Sequence, residues 1–264
     1  MKSRVLMLLT SVTLFAALVL SAQAATFSKA SLKGSYSFLT NLWTANANTN
    51  EFAMVGILAF DGAGNVTGSY TSISLQVFQT GTLGGTYTVN SNGTGTLTFT
   101  TGSTAQFAIT LDSTAANVAH GVQLVQTNDS NNEIVSGTAV LQSTTAQTYS
   151  LASLKGNFGF QWSLWTAAVS EYQASDLGMI SFDGKGNAKA VSTIVADGGS
   201  FTQTLTGTYT VNSDGSGTIT LPGAQIVFVL NSVAAGQGKG AQFIENCTSV
   251  GSGNYAITGI VLKQ

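Results

Sequence analysis

The residues able to do chemistry are few, and their spacing disposes of most candidates. His120 is the one histidine and Cys247 the one cysteine, and they fall in opposite halves of the chain. A thiol nucleophile needs a base in reach and a disulfide needs a second sulfur, so Cys247 is read as a small structural residue. The sequence carries no Ser-His-Asp order and no phosphate-cradling loop. Nor do His, Cys and carboxylates cluster at metal-ligand spacing, so no catalytic residue, metal or cofactor is assigned. Glu51, Glu133, Glu171, Asp176 and Glu245 are the acids available for proton transfer. Glu245 stands in a strand-like run, and facing inward it would be an acid of raised pKa. One acid without a partner is expected instead as a solvated strand residue. Asp61 and Asp183 open the turns F-D-G-[AK]-G-N, which offer one carboxylate each, too few hard oxygen ligands for a dedicated calcium loop. They are expected as hairpin turns.

Composition sets the surroundings of these groups. Lys2 and Arg4, an apolar run to Leu20 and Ala22-Gln23-Ala24 form the three parts of a secretory signal peptide, with cleavage expected after Ala24. The remainder holds seven lysines, eleven acids and no arginine, a net charge of −4. Nucleic acid is disfavoured as a partner, because phosphate neutralisation needs a basic surface. No later stretch has the eighteen consecutive apolar residues of a membrane-spanning helix. A secreted or periplasmic protein is expected.

Sliding the chain over itself by 122 residues shows an internal repeat. SLKGSYSF from Ser31 returns as SLKGNFGF from Ser153, and GTYTVNSNGTGT from Gly85 returns as GTYTVNSDGSGT from Gly207. Over Thr26 to Asn65, 18 of 40 residues are identical without a gap. The expected organisation is a signal peptide at 1–24, repeat 1 at 26–142, a linker at 143–147 and repeat 2 at 148–264.

Within each repeat, short β-type runs alternate with turn signals. The turns Asp61-Gly62, Asn92-Gly93, Asp183-Gly184 and Asp214-Gly215 tolerate the positive φ of tight hairpins. In the first repeat, strands are predicted near 34–43, 52–61, 65–77, 82–90, 94–101, 105–112, 119–127 and 134–142. Thr94, Thr96, Thr98 and Thr100 alternate with Leu97 and Phe99, while Phe107, Ile109 and Leu111 share a face. A sheet with one apolar side hides it, and removes its edges, by closing on itself. The expected fold is therefore all-β: two tandem eight-stranded antiparallel meander barrels, with a β-sandwich as the alternative. Ser28 can cap a single turn from Lys29 to Leu32, with Gly34 ending it. Phe27 and Leu32 would then plug the barrel mouth and Lys33 would reach water.

The turn followed by Gly-x-aromatic resembles the entrance of lipocalin-type (calycin) barrels, over about ten residues per copy. The arginine that packs on that aromatic in lipocalins has no counterpart here. The ordered set S-L-K-G-x-aromatic-x-F, F-D-G-x-G-N and G-T-Y-T-V-N-x-[DN]-G-x-G-T resembles uncharacterised secreted β-proteins of acidobacterial soil bacteria. That resemblance implies secretion and a β-barrel-like domain, and it brings no assigned activity or catalytic residues to carry over.

An eight-stranded barrel is filled by side chains or holds one small ligand. The candidate lumen or rim residues are Tyr36, Trp43, Tyr87, Phe158, Phe160, Trp162, Trp165, Tyr209 and Glu245. The second copy is richer in aromatics there, so a pocket is expected in it. The functional expectation is an exported, non-catalytic barrel protein acting by binding or as a surface or matrix component. Its partner is expected to be a small apolar molecule or a glycan. One alternative is a lipocalin-like carrier; another is a barrel enzyme resembling allene oxide cyclase or dirigent proteins.

Overall fold

The structure, a computed structural model, describes residues 26–44, 52–112, 114–115, 117–128, 133–165, 174–196, 198–231, 236–247 and 256–264. The expected signal peptide lies outside them, as do Glu51 and Glu171. The first barrel begins with β1 (Lys33–Thr44), β2 (Phe52–Asp61), β3 (Asn65–Ser74) and β4 (Val77–Val89). It continues with β5 (Thr94–Thr101), β6 (Gln106–Leu111), a minor two-stranded ladder of β7 (Thr114–Ala115) and β8 (Val118–Ala119), then β9 (Gly121–Gln126) and β10 (Glu133–Ser143). The second barrel comprises β11 (Lys155–Trp165), β12 (Ala174–Asp183), β13 (Asn187–Ala196) and β14 (Gly199–Val211). Its remaining strands are β15 (Ser216–Leu221), β16 (Ala224–Asn231), β17 (Gly240–Cys247) and β18 (Ala256–Lys263).

Both are closed antiparallel barrels of eight strands, and the sandwich alternative is set aside. Closure runs through β1 against β10 in the first and β11 against β18 in the second. Sequence-adjacent strands pair throughout, except that β6 pairs β9 across the minor ladder. The alternation reads as expected: Leu97, Phe99, Phe107, Ile109 and Leu111 are buried in the lumen. The outward Thr88 and Thr96 hydroxyls lie 2.8 Å apart, and Thr210 and Thr218 repeat the pair at 2.9 Å.

One hairpin departs from the sequence reading. The predicted third strand over 65–77 ends at Ser74, and the fourth starts at Val77, earlier than the predicted 82. Leu75 and Gln76 form the turn with φ of 51° and 60°, left-handed values unusual for such side chains. A Leu-Gln turn carries none of the Gly, Asn or Asp residues that mark the other hairpins. Asn246 of the second barrel donates from Nδ2 to the Gln76 carbonyl at 2.7 Å, fastening the turn from outside.

The repeated opening motif closes one end of each barrel. Lys29–Ser31 and Leu151–Ser153 are single 3-10 turns, preceded by Ser28 and Ser150 in extended conformation. The Ser28 amide donates to Ser31 Oγ, and the Ser150 amide to Ser153 Oγ. Leu32 and Leu154 drop into the two lumens, fully or nearly fully buried. Tyr87 Oη donates toward the Lys29 and Leu32 carbonyls at 3.0 and 2.8 Å, and Tyr209 repeats this on Leu151 and Leu154. The barrel wall thus grips its own plug. Edge-to-face rings stack beneath, Tyr36–Phe60–Tyr87 in one barrel and Phe158–Phe182–Tyr209 in the other. Each such pair adds ~0.5–1.5 kcal/mol beyond its buried area. Lys33 and Lys155 are exposed and lie along Gly62 and Gly184 of the adjacent turns.

The barrels also pack on each other. Leu39, Ala53, Val55 and Ile73 on the outer face of β1–β3 form one buried cluster with Val229 of β16 and Ile244 of β17. Beside it, Ser37 Oγ donates to Gln242 Oε1 at 3.0 Å, and Gln242 Nε2 donates to Thr138 Oγ1 at 2.7 Å.

Candidate functional site

The two barrels differ at a cross-strand pair that borders the cavity of the second. In the first barrel Tyr70 of β3 faces Gly81 of β4, and a Cβ on Gly81 would meet the Tyr70 ring at 2.7 Å. The phenol occupies the space that glycine leaves. The corresponding pair in the second barrel is Ser192 and Gln203, with the Gln203 amide reaching the Ser192 hydroxyl at 3.5 Å. Both residues line a cavity of about 320 Å³ inside the second barrel. Close-packed interiors keep few voids larger than a water, whereas small-molecule sites start near this size.

The floor is Leu154 and Phe182, next to the plug, and the far end reaches the β15–β16 turn at Pro222 and Gly223. The walls are chiefly Phe160, Trp162, Ile180, Ile219, Phe228 and Phe243. Two carboxylates break this apolar lining: Asp176 from β12 and Glu245 from β17. They are 3% and 5% exposed. Burial pushes the Glu245 carboxyl up to about 8, and the nearby Asp176 charge pushes the same way. Burial raises Asp176 too, partly offset by the Ser192 hydroxyl, the Leu177 amide and the Trp162 indole. Even so, Asp176 Oδ1 is buried without a hydrogen-bond partner. Among the described residues, no lysine, arginine or histidine lines the cavity.

This corrects the reading of Glu245 as a solvated strand residue. In β17, Ala241, Phe243 and Glu245 point into the barrel, and the strand closes over them. Glu245 also has the partner acid that the sequence reading did not find. Asp176 shares its face with Ile180 and Phe182 in β12 by simple alternation, which was the available signal. The first barrel has Met54 and Gln126 at the equivalent positions, and Thr40 in place of Trp162.

Of the other candidates, Phe160 and Trp162 line the cavity with Glu245. Tyr36, Tyr87, Phe158 and Tyr209 are core residues around the plugs. Tyr36 Oη donates to the Ala119 carbonyl at 2.7 Å, and burial raises its pKa; the Tyr87 pKa is pushed up to about 12, chiefly by burial. Trp43 and Trp165 lie in β1 and β11, and their side chains fall outside the described ones. His120 is exposed.

The Asp61 and Asp183 turns consume their own carboxylates. Asp61 Oδ1 accepts from the Ala63, Gly64 and Asn65 amides, and Oδ2 accepts from Asn65 Nδ2 at 2.6 Å. These bonds to the charged form hold the Asp61 pKa far below the usual carboxylate range. Asp183 is held at about 2 by the matching Asn187 and Lys185 bonds.

No family model matches the chain, and no curated protein matches it. Solved structures with distant likeness include kievitone hydratase from Nectria haematococca, at 11% identity and TM-score 0.27 over 89% of this chain and 91% of that one. A protein of unknown function of the DUF3598 family from Nostoc punctiforme aligns at 12% identity and TM-score 0.25, over 89% and 98% of the two chains. An AttH protein of Nitrosomonas europaea aligns at 8% identity and TM-score 0.26, over 88% and 92%. Likenesses this distant carry no argument about activity.

Proposed function

We propose that the protein is exported and binds one small, largely apolar molecule inside its second barrel, the first barrel serving as a packed structural partner. The supporting observation is the cavity of about 320 Å³ in the second barrel, walled by aromatic and aliphatic side chains. The carrier alternative thereby takes precedence over a surface or matrix role. Export rests on the N-terminal pattern of the sequence.

The test is binding of prodan, a neutral fluorophore, to the mature protein. One blue-shifted prodan is expected per chain. Ala190→Leu and Ala174→Leu, each filling the cavity from its wall, should weaken binding about tenfold or more. Unchanged prodan emission in both variants would overturn the reading. Intact mass of material recovered outside the cytoplasm should begin at Ala25, and solvent extraction of that material should release a bound compound.

A further inference from the structure

The apolar walls of the cavity are explained by an apolar ligand, but its two carboxylates are not. Asp176 and Glu245 enter the lumen from strands three apart around the barrel, β12 and β17. Burying an acid is costly unless it is hydrogen-bonded or paired with a cation, and the protein supplies no cation here. Asp176 Oδ1 is left without any partner. Among the described residues the neighbouring strands add no titratable group beside the two acids: β11 presents Phe160 and Trp162, β13 presents Ser192, β14 presents Gln203, β16 presents Ile226 and Phe228, and β18 presents Val261. Lys263, at the plug end of β18, stands 5.9 Å from the centre of the Phe158 ring and donates to Gln237 Oε1. Tyr209 lies farther along the inner face of β14, its hydroxyl engaged by the plug carbonyls.

Resting on the cavity-binding reading above, we infer that the ligand is an organic amine. Its apolar body fills the lumen, and its ammonium group sits between Asp176 and Glu245. The ammonium supplies the donor that Asp176 Oδ1 lacks, and its charge offsets the burial and the Asp176 charge that together keep Glu245 protonated. In the empty cavity Glu245 holds its proton below about pH 8. Ammonium binding favours the ionised carboxylate, so below that pH each binding event releases a proton and affinity rises with pH. It levels off near pH 8 and falls only where the amine itself deprotonates.

The test compares 1-naphthylmethylamine with 1-naphthalenemethanol, two probes of one shape, on the mature protein near pH 8 by calorimetry. The amine should bind about tenfold tighter or more, and Asp176→Asn with Glu245→Gln should reduce the two probes to within about twofold. An alcohol that binds wild type as tightly as the amine overturns the amine inference and leaves the cavity reading intact. Failure of both probes to bind wild type overturns the cavity reading and this inference with it. If the double variant does not fold, wild type still decides: amine affinity should climb from about pH 6 to about pH 8 while alcohol affinity stays level, and a level amine profile overturns the inference.

Discussion

Glu245 makes a distinct contribution to how this protein should respond to pH. Glu245 has a folded-state pKa near 8 against an ordinary value of 4.5. Between those values the unfolded chain has released the proton that the folded chain retains. The Glu245 contribution to stability is therefore constant below the lower value, falls as pH rises through the window, and levels off above about 8. The slope for one group is at most about 1.4 kcal/mol per pH unit. Glu245→Gln should flatten this fall between about pH 5 and about pH 8, as read from urea unfolding at several pH values. A wild-type stability that rises over that range would contradict the burial of a protonated Glu245. At this scale the sequence was half legible. Glu245 could be flagged because it interrupts an apolar run, but its partner Asp176 lies on the other side of the closed barrel. No sequence spacing encodes that proximity; only the topology does. A pocket was expected in the second copy from its aromatics, whereas Ser192 and Gln203 as part of its lining, where Tyr70 and Gly81 stand in the other copy, were not singled out.

Strands were legible wherever a turn used residues suited to positive φ. The Asp-Gly and Asn-Gly hairpins fell where the dipeptides stand, and Thr alternation gave the correct faces because one side of each strand meets water and the other meets the lumen. The β3–β4 hairpin escaped because Leu75 and Gln76 adopt left-handed φ with ordinary side chains. That conformation costs of order 1 kcal/mol per residue, and here a hydrogen bond from Asn246 in the other barrel helps to hold it. Leu75 is 49% exposed, so little burial is lost on replacing it. Leu75→Asn with Gln76→Gly should therefore stabilise the protein by about 1 kcal/mol, because both residues accept this turn and the Asn246 contact is to a backbone carbonyl. Denaturant midpoints would show it, and a loss of stability would mean that the Gln76 side chain matters more than its backbone.

The two barrels share a fold but not a surface role, and this governs how the whole molecule unfolds. Val55 of β2 points away from its own lumen, yet it is fully buried because it packs with Val229 and Ile244 of the second barrel. Its repeat equivalent, Leu177 of β12, occupies the same place on the other barrel and is 65% exposed. Repetition therefore predicts equal consequences for substitution at the two sites, whereas packing predicts unequal ones. Val55→Asp places an unpaired charge in the contact and should cost about 3–5 kcal/mol, splitting one cooperative unfolding transition into two with the first barrel leaving earlier. Leu177→Asp should stay within about 0.5 kcal/mol of wild type with one transition. The pair was not visible as an interface in the sequence, although Ala53, Val55 and Ile57 gave β2 an apolar outer face that a wet barrel wall does not need. Equal damage from the two substitutions, measured by calorimetry, would mean that barrel-on-barrel packing does not couple the halves. The expected inequality would make the tandem arrangement a cooperative unit, in which the first barrel braces β16 and β17, one of which carries Glu245 into the cavity.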